Sequence, residues 1–173
     1  PTWDVLIKGL RRARSYIIKE KRVLARPISE DLKRHRKDAL SGIEMSYKIG
    51  FIGTGKMASA IIKGVINKGF CGREEIIASN PHEASRARAE SELGITVVGS
   101  NAEVVRSADV IVLSVKPQQI PEVFASEDLG FGPEHSLVSI AAGVTIETLK
   151  NHVPDSKIFR VMPNICSTNF VGS

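Results

Sequence analysis

Apolar residues recur along this chain in two different periods. In the first segment Leu6, Leu10, Ala13 and Ile17 fall at helical spacing, with Arg11, Arg12, Arg14 and Lys19 between them, until Arg26-Pro27 interrupts the pattern. A second short helix is predicted from Ser29, with Glu30 and Asp31 in its first turn, Leu32, His35 and Ala39 along one face, and Gly42 as its stop. Beyond Met45 the pattern changes. Tyr47 to Ile52 reads as a strand, Gly53 to Ala58 as a glycine-containing loop, and Met57, Ile61, Val65 with Ile62, Ile66 as a helix. Strands are then predicted at Glu75 to Ser79, Ile95 to Val98, Val110 to Val115, Leu137 to Ile140 and Lys157 to Met162. Between them stand helices from Pro81 to Leu93, from Asn101 to Ser107, from Pro117 onwards, and from a Thr145 cap through Asn151. The run Val110 to Val115 is apolar without alternation, as a central parallel strand buried on both faces requires. Alternation of this kind predicts an α/β fold, a Rossmann-like doubly wound parallel sheet with right-handed crossovers, preceded by a short helical extension.

The loop after the first strand carries the first chemical signal. Its pattern is GxGxxA: Gly53 allows the tight turn, Gly55 lets the backbone approach a pyrophosphate, and Ala58 keeps the following helix close to the strand. The amide groups at the start of that helix then face the phosphates. The pattern is weak alone and gains weight from its place between a strand and a helix. In open sheets of this kind the ligand crevice lies beyond the carboxyl ends of the strands. That places Ser114, Lys116 and Pro117, then Ala141, Ala142 and Gly143, and finally Pro163 and Asn164 on the cofactor side. At the end of the second strand, where NAD-binding folds carry Asp or Glu for the ribose hydroxyls, the chain has Ser79-Asn80-Pro81, followed by Arg86 and Arg88. No carboxylate there repels a 2′-phosphate, so NADPH is favoured over NADH. Asn80 is also expected to cap the next helix, with Pro81 first and Glu83 reaching back, and Ser100 with Glu103 forms a second capping box.

Charge divides the chain. Residues 1–44 hold 12 Lys and Arg against 6 Asp and Glu, and residues 45–173 hold 12 against 13, so the excess of +5 belongs to the first quarter. Its densest run, Lys33 to Lys37, lacks the interleaved aromatic residues of a nucleic-acid surface and is expected to be a solvated helix face. With 42% hydrophobic and 25% charged residues, disorder throughout is excluded. No apolar stretch approaches the roughly 20 residues of a membrane span, and a cytoplasmic location is expected. Cys71 and Cys166 stand 95 positions apart and are expected to be ordinary thiols, and no metal site is predicted. His35, His82, His135 and His152 are scattered and expected to be exposed, and neither GxSxG nor HExxH occurs.

Four strings taken together, Lys48 to Ala58 (KIGFIGTGKMA), Ser114 to Gln118 (SVKPQ), Ser139 to Val144 (SIAAGV) and Arg160 to Asn164 (RVMPN), resemble pyrroline-5-carboxylate reductase. The likeness covers residues 46 to about 165; the first string is shared with related dehydrogenases, whereas the combination is specific. The resemblance implies NAD(P)H-dependent reduction of 1-pyrroline-5-carboxylate to L-proline. It implies cofactor contacts at Ile52, Gly53, Thr54, Gly55, Lys56 and Met57, at Asn80 and Asn101, at Ser114, Val115, Lys116 and Pro117, and at Ile140, Ala141 and Ala142. It also implies a following helical domain that mediates dimerisation and completes the imino-acid pocket, for which 173 residues leave no room. The stretch Ile165 to Asn169 departs from the family's usual small residues, and residues 1–44 have no place in its pattern. The expected organisation is therefore a basic helical extension at 1–44, a dinucleotide-binding domain at 45–164 and the start of a truncated connection at 165–173. No catalytic side chain is implied, because hydride transfer to a C=N bond asks the protein mainly to align ring and imine. Two alternatives stay open: a catalytically inactive NADP(H)-binding module, and another dehydrogenase of the superfamily such as a 3-hydroxyacid dehydrogenase.

Overall fold

Six strands, each three to six residues long, form one sheet in a computed structural model that describes residues 2–24 and 47–162. They are β1 (Tyr47–Ile52), β2 (Ile76–Ser79), β3 (Thr96–Val98), β4 (Ala108–Leu113), β5 (Ser136–Ser139) and β6 (Lys157–Arg160). All five pairings are parallel, in the order β3-β2-β1-β4-β5-β6. The helices are α1 (Thr2–Leu24), α2 (Lys56–Asn67), α3 (Glu83–Leu93), α4 (Asn101–Ser107), α5 (Ile120–Ser126) and α6 (Ile146–Lys150). This is the Rossmann-like doubly wound architecture that the alternation predicts.

Two apolar layers sandwich the sheet. Side chains alternate along each strand, so in β4 Val110 and Val112 enter one layer while Ile111 and Leu113 enter the other. The first layer takes Ala58, Ile61, Ile62 and Val65 of α2 with Ala89 and Leu93 of α3. The second takes Ala102, Val104 and Val105 of α4, Ile120 of α5 and Leu149 of α6.

The first segment behaves differently from a free-standing extension. Leu6, Leu10, Ala13 and Ile17 of α1 are buried, and they share the first layer with Ile49, Val112, Val138 and Val161. Helix α1 packs against β4, β5 and β6, whose crossover helices all lie on the opposite face. The closest approach is at Gly9, where a Cβ would stand 2.7 Å from Val161 Cγ2. Lys8, Arg11 and Arg12 face outward. The helix expected from Ser29, the run Lys33 to Lys37 and His35 lie outside the described residues, as do Pro163, Asn164 and Cys166.

Several boundaries shift for local reasons. Helix α3 begins at Glu83 rather than Pro81, because the His82 amide donates to Asn80 Oδ1 (2.9 Å) and holds 80–82 in a turn. Asn80 therefore does not cap the helix in the expected box; His82 stands at that position without a side-chain cap. Strand β4 begins two residues early, since α4 ends at Ser107 and Ala108 already pairs with Tyr47. Pro117 opens a single 3-10 turn, Pro117–Gln119, before α5. The Thr145 cap forms as predicted, its Oγ1 accepting from the Thr148 amide at 3.1 Å.

Candidate dinucleotide-binding site

The chain leaving β1 crosses the first face through α2, and the chain leaving β4 crosses the second through α5. A crevice opens where two neighbouring parallel strands send their connections to opposite faces, and here it lies above β1 and β4. Ile52, Gly53 and Thr54 end one side of it; Ser114, Val115 and Lys116 end the other.

The glycine loop is fixed by its neighbours. Gly53 adopts φ +99°, a left-handed conformation that favours glycine, and a Cβ there would lie 3.1 Å from Val115 Cγ1 and 3.2 Å from the Ser114 carbonyl oxygen. Its amide donates to the Ser79 carbonyl at 3.1 Å. The Ser114 hydroxyl lies 2.9 Å from the Ile52 carbonyl and 3.1 Å from that of Gly53, so it fastens the loop to β4. Gly55 is another matter: nothing stands within 4 Å of where its Cβ would be, and the space in front of it is open.

Helix α2 starts at that open space without a side-chain cap and without an acidic residue in its first turn. Its free amide groups and the positive end of its dipole suit an anion. Helix α4 provides the contrast. Glu127 Oε1 accepts from the Asn101 and Ala102 amides at 2.8 and 3.3 Å, and its Oε2 accepts from Ser100 Oγ at 2.9 Å. Ser100 Oγ in turn accepts from the Glu103 amide at 3.3 Å. A carboxylate of the chain itself thus occupies the start of α4, whereas no side chain of the described residues caps the start of α2. The residues present therefore fit a dinucleotide pyrophosphate at Gly55 and the first turn of α2.

The remaining predicted residues divide by how much of their polarity is already used. Asn80 Nδ2 donates to Thr54 Oγ1 at 2.7 Å, tying the end of β2 to the glycine loop. Ser79 Oγ donates to Asn101 Oδ1 at 2.5 Å, so Asn101 closes the same corner from α4. Lys116 is exposed, with its amide donating to Gln119 Oε1 at 3.1 Å. Met57 is 42% exposed beside the loop. Ile140 is half-buried, Ala141 buried, and Ala142 and Gly143 exposed at the edge of β5. The Ser79–Asn101 and Glu127 contacts were not predicted: they join residues 22 or more positions apart, and no local pattern marks them.

Other reactive groups fall away from this corner. His135 is buried rather than exposed; its Nδ1 accepts from the Gly132 amide at 3.0 Å and its Nε2 donates to the Val105 carbonyl at 2.8 Å. The neutral ring with Nε2 protonated satisfies both partners, which is why burial is tolerated. His152 stacks on Phe124 at 4.5 Å. Burial first, and then the Glu75 carboxylate, push the Cys71 thiol up to about 11, which leaves it unreactive at neutral pH. Among the described residues no group of His, Cys, Asp and Glu is placed to hold a metal ion. No helix among them is long and apolar enough to cross a membrane.

Residues 48–143 match the family described as NADP oxidoreductase coenzyme F420-dependent. The pyrroline-5-carboxylate reductase of Methanosarcina acetivorans is 40% identical over 122 residues, 70% of this chain and 45% of the relative. That of Pisum sativum is 40% identical over 119 residues, 69% of this chain and 43% of the relative. Among solved structures, a pyrroline-5-carboxylate reductase from Coxiella burnetii aligns with TM-score 0.58 at 30% identity, over 66% of this chain and 43% of that one. The Plasmodium falciparum pyrroline carboxylate reductase, solved with NADP bound, aligns with TM-score 0.55 at 28% identity, over 66% and 41%. The chain thus spans less than half the length of these relatives.

Proposed function

Since the chain belongs to the family described as NADP oxidoreductase coenzyme F420-dependent, we propose that residues 45–164 are the cofactor unit of a pyrroline-5-carboxylate reductase, with 165–173 leading towards the rest of the imino-acid pocket. One observation carries the reading: the uncapped, acid-free first turn of α2 stands behind Gly53 and the open Gly55 at the point where the sheet reverses its winding. The first turn of α2 holds the pyrophosphate. Thr54 and Asn80 border the adenosine side, and Ser114 keeps the loop in shape. Val115, Lys116, Ala141 and Ala142 border the other end, where small side chains leave room for a flat ring. When bound, a reduced nicotinamide would supply a hydride to the carbon of the substrate's protonated C=N bond, giving the amine. The chain's own part is to bind, orient and exclude competing partners.

NADPH is the favoured cofactor, because Ser79 and Asn80 at the end of β2 bring no carboxylate against a 2′-phosphate. The partner is a small imino acid and the location cytoplasmic. The test is a titration of the purified chain with NADPH and NADH, followed by nicotinamide emission, beside an assay of 1-pyrroline-5-carboxylate reduction. Micromolar binding supports the cofactor unit, and turnover supports the full reading. Binding without turnover means an intact cofactor domain without its catalytic partner, and binding of neither cofactor overturns the reading of the loop.

A further inference from the structure

The end of β2, where a 2′-phosphate is usually read, is already occupied by contacts within the chain. Asn80 uses Nδ2 on Thr54 and Oδ1 on the His82 amide. The Arg86 guanidinium Nη1 donates to the carbonyls of Asn80 (3.1 Å) and Pro81 (3.0 Å). Asn80 and Arg86 are thus committed to shaping the corner.

Cations gather next to it instead. Between α2 and α3 runs a cleft of about 420 Å³ that starts at Thr54 and Gly55 and continues past Lys56, Ser59, Ala60 and Lys63 to Arg88 and Glu92. Lys56, Ser59 and Lys63 stand at i, i+3 and i+7, one face of α2, and Cα–Cβ bonds tilt towards a helix N-terminus, so Lys63 leans back towards the glycine loop. Arg88 faces them from α3. Ser59 and Ala60 are small and keep the floor open. Three cations meet one carboxylate here, and none of Lys56, Lys63 and Arg88 makes an ion pair with a described residue. The excess of two positive charges costs stability unless an anion joins them.

We propose that this α2–α3 cleft seats the 2′-phosphate of an NADP-type cofactor, with Lys63 and Arg88 as the residues that select it over NAD. The inference rests on the cofactor reading above and adds to it the residues that decide between the two nucleotides. The cleft opens on the same Thr54 and Gly55 that border the pyrophosphate seat, so one dinucleotide reaches both. A phosphate monoester carries close to two negative charges at neutral pH, which matches the net charge of the lining.

The test uses the full chain with Lys63→Ala, Arg88→Ala, the double variant and Glu92→Gln. Kd for NADPH and for NADH is measured by fluorescence, and adenosine 2′-monophosphate is run as a competitor. Lys63, Arg88 and Glu92 are all exposed, and a thermal melt confirms folding. The double variant is expected to weaken NADPH by about tenfold or more, the size of a lost charged hydrogen bond, while NADH moves less than twofold. Glu92→Gln is expected to tighten NADPH and adenosine 2′-monophosphate and leave NADH alone. Equal losses for both cofactors, or an unchanged ratio, overturn the cleft as selector while the cofactor reading stands. Binding of neither cofactor by the unsubstituted chain fails the reading itself, and the cleft proposal with it.

Discussion

The two halves of the sheet are covered by different means. Over β1, β2 and β3 the first face is closed by α2 and α3, each the crossover between the strands it covers. Over β4, β5 and β6 the crossovers α5 and α6 both go to the second face, and the first is closed by α1, which enters the chain before any strand. Ser136 Oγ lies 3.5 Å from the Ala13 carbonyl across 123 positions of sequence. Cover by a crossover comes with the topology, whereas cover by α1 depends on a match between surfaces that are distant in sequence. The self-covered half carries the glycine loop and the α2–α3 cleft, and the crevice lies at its border with the other half, above β1 and β4. The other half borrows its cover from a segment that none of the nucleotide chemistry uses.

The sharpest way to break this contrast is to empty the borrowed cover. Leu10 is fully buried in α1, and Leu10→Ala is expected to lower global stability by about 3 kcal/mol, the range of a core leucine truncation. Urea unfolding followed by circular dichroism checks it. A midpoint unchanged for the sheet, with only α1 fraying, would show that α1 is appended rather than integral. Next in size is Gly9→Ala. Alanine is the better helix former by about 1 kcal/mol, yet its Cβ would sit 2.7 Å from Val161 Cγ2. Overpacking is expected to win and cost about 2 kcal/mol. Combined with Val161→Ala the loss is expected to shrink, because the clash is relieved, and a double-mutant cycle reads the coupling. Gain of stability by Gly9→Ala alone would mean that α1 does not approach β6 so closely.

On the other half the matching probe is Gly53→Ala. A residue at φ +99° that must also avoid Val115 and the Ser114 carbonyl is expected to cost about 1 kcal/mol. It is expected to weaken nucleotide binding at the same time, because the loop in front of α2 shifts. Leu10→Ala, larger in stability, is expected to leave nucleotide affinity unchanged in the folded fraction. The pair of substitutions therefore separates a position that supports the core from one that shapes the glycine loop.

How much of this the sequence discloses follows the same division. Glycines 53 and 55, the apolar run of β4 and the Thr145 cap are legible because each depends on neighbours within a few residues. The stripe Leu6, Leu10, Ala13, Ile17 discloses a helix with one apolar face and nothing of what that face meets, so a helix integral to the core reads as an extension. Ser114 follows β4 in the sequence, but that its hydroxyl fastens the glycine loop depends on β1 and β4 being neighbours. Buried His135 escaped for a similar reason: both partners that make its burial tolerable, Gly132 and Val105, are backbone groups, and only one is local. Position along a strand is readable from period, and pairing across the fold is not.

The smallest effect concerns an ion pair on the self-covered half. Lys48 of β1 lies 2.6 Å from Glu75, just before β2, and the Gly72 amide donates to the same carboxylate at 2.9 Å. The lysine's hydrogen bond first, and the amide next, hold the Glu75 carboxyl below the usual carboxylate range. A carboxyl depressed on folding contributes stability above its unfolded pKa and loses that contribution as pH falls through the folded value. Glu75→Gln is therefore expected to cost less than about 1 kcal/mol at pH 7, as partly exposed pairs do, and nothing once the pH lies below both values. The contacts of α1 with β4, β5 and β6 are mainly apolar, so the cost of Leu10→Ala is expected to stay constant over the same range. Stability curves of the two variants between pH 7 and pH 3 check both statements together. A Leu10→Ala cost that fell in parallel with that of Glu75→Gln would mean that the two halves unfold through one shared acid-sensitive contact, and the contrast between them would fail.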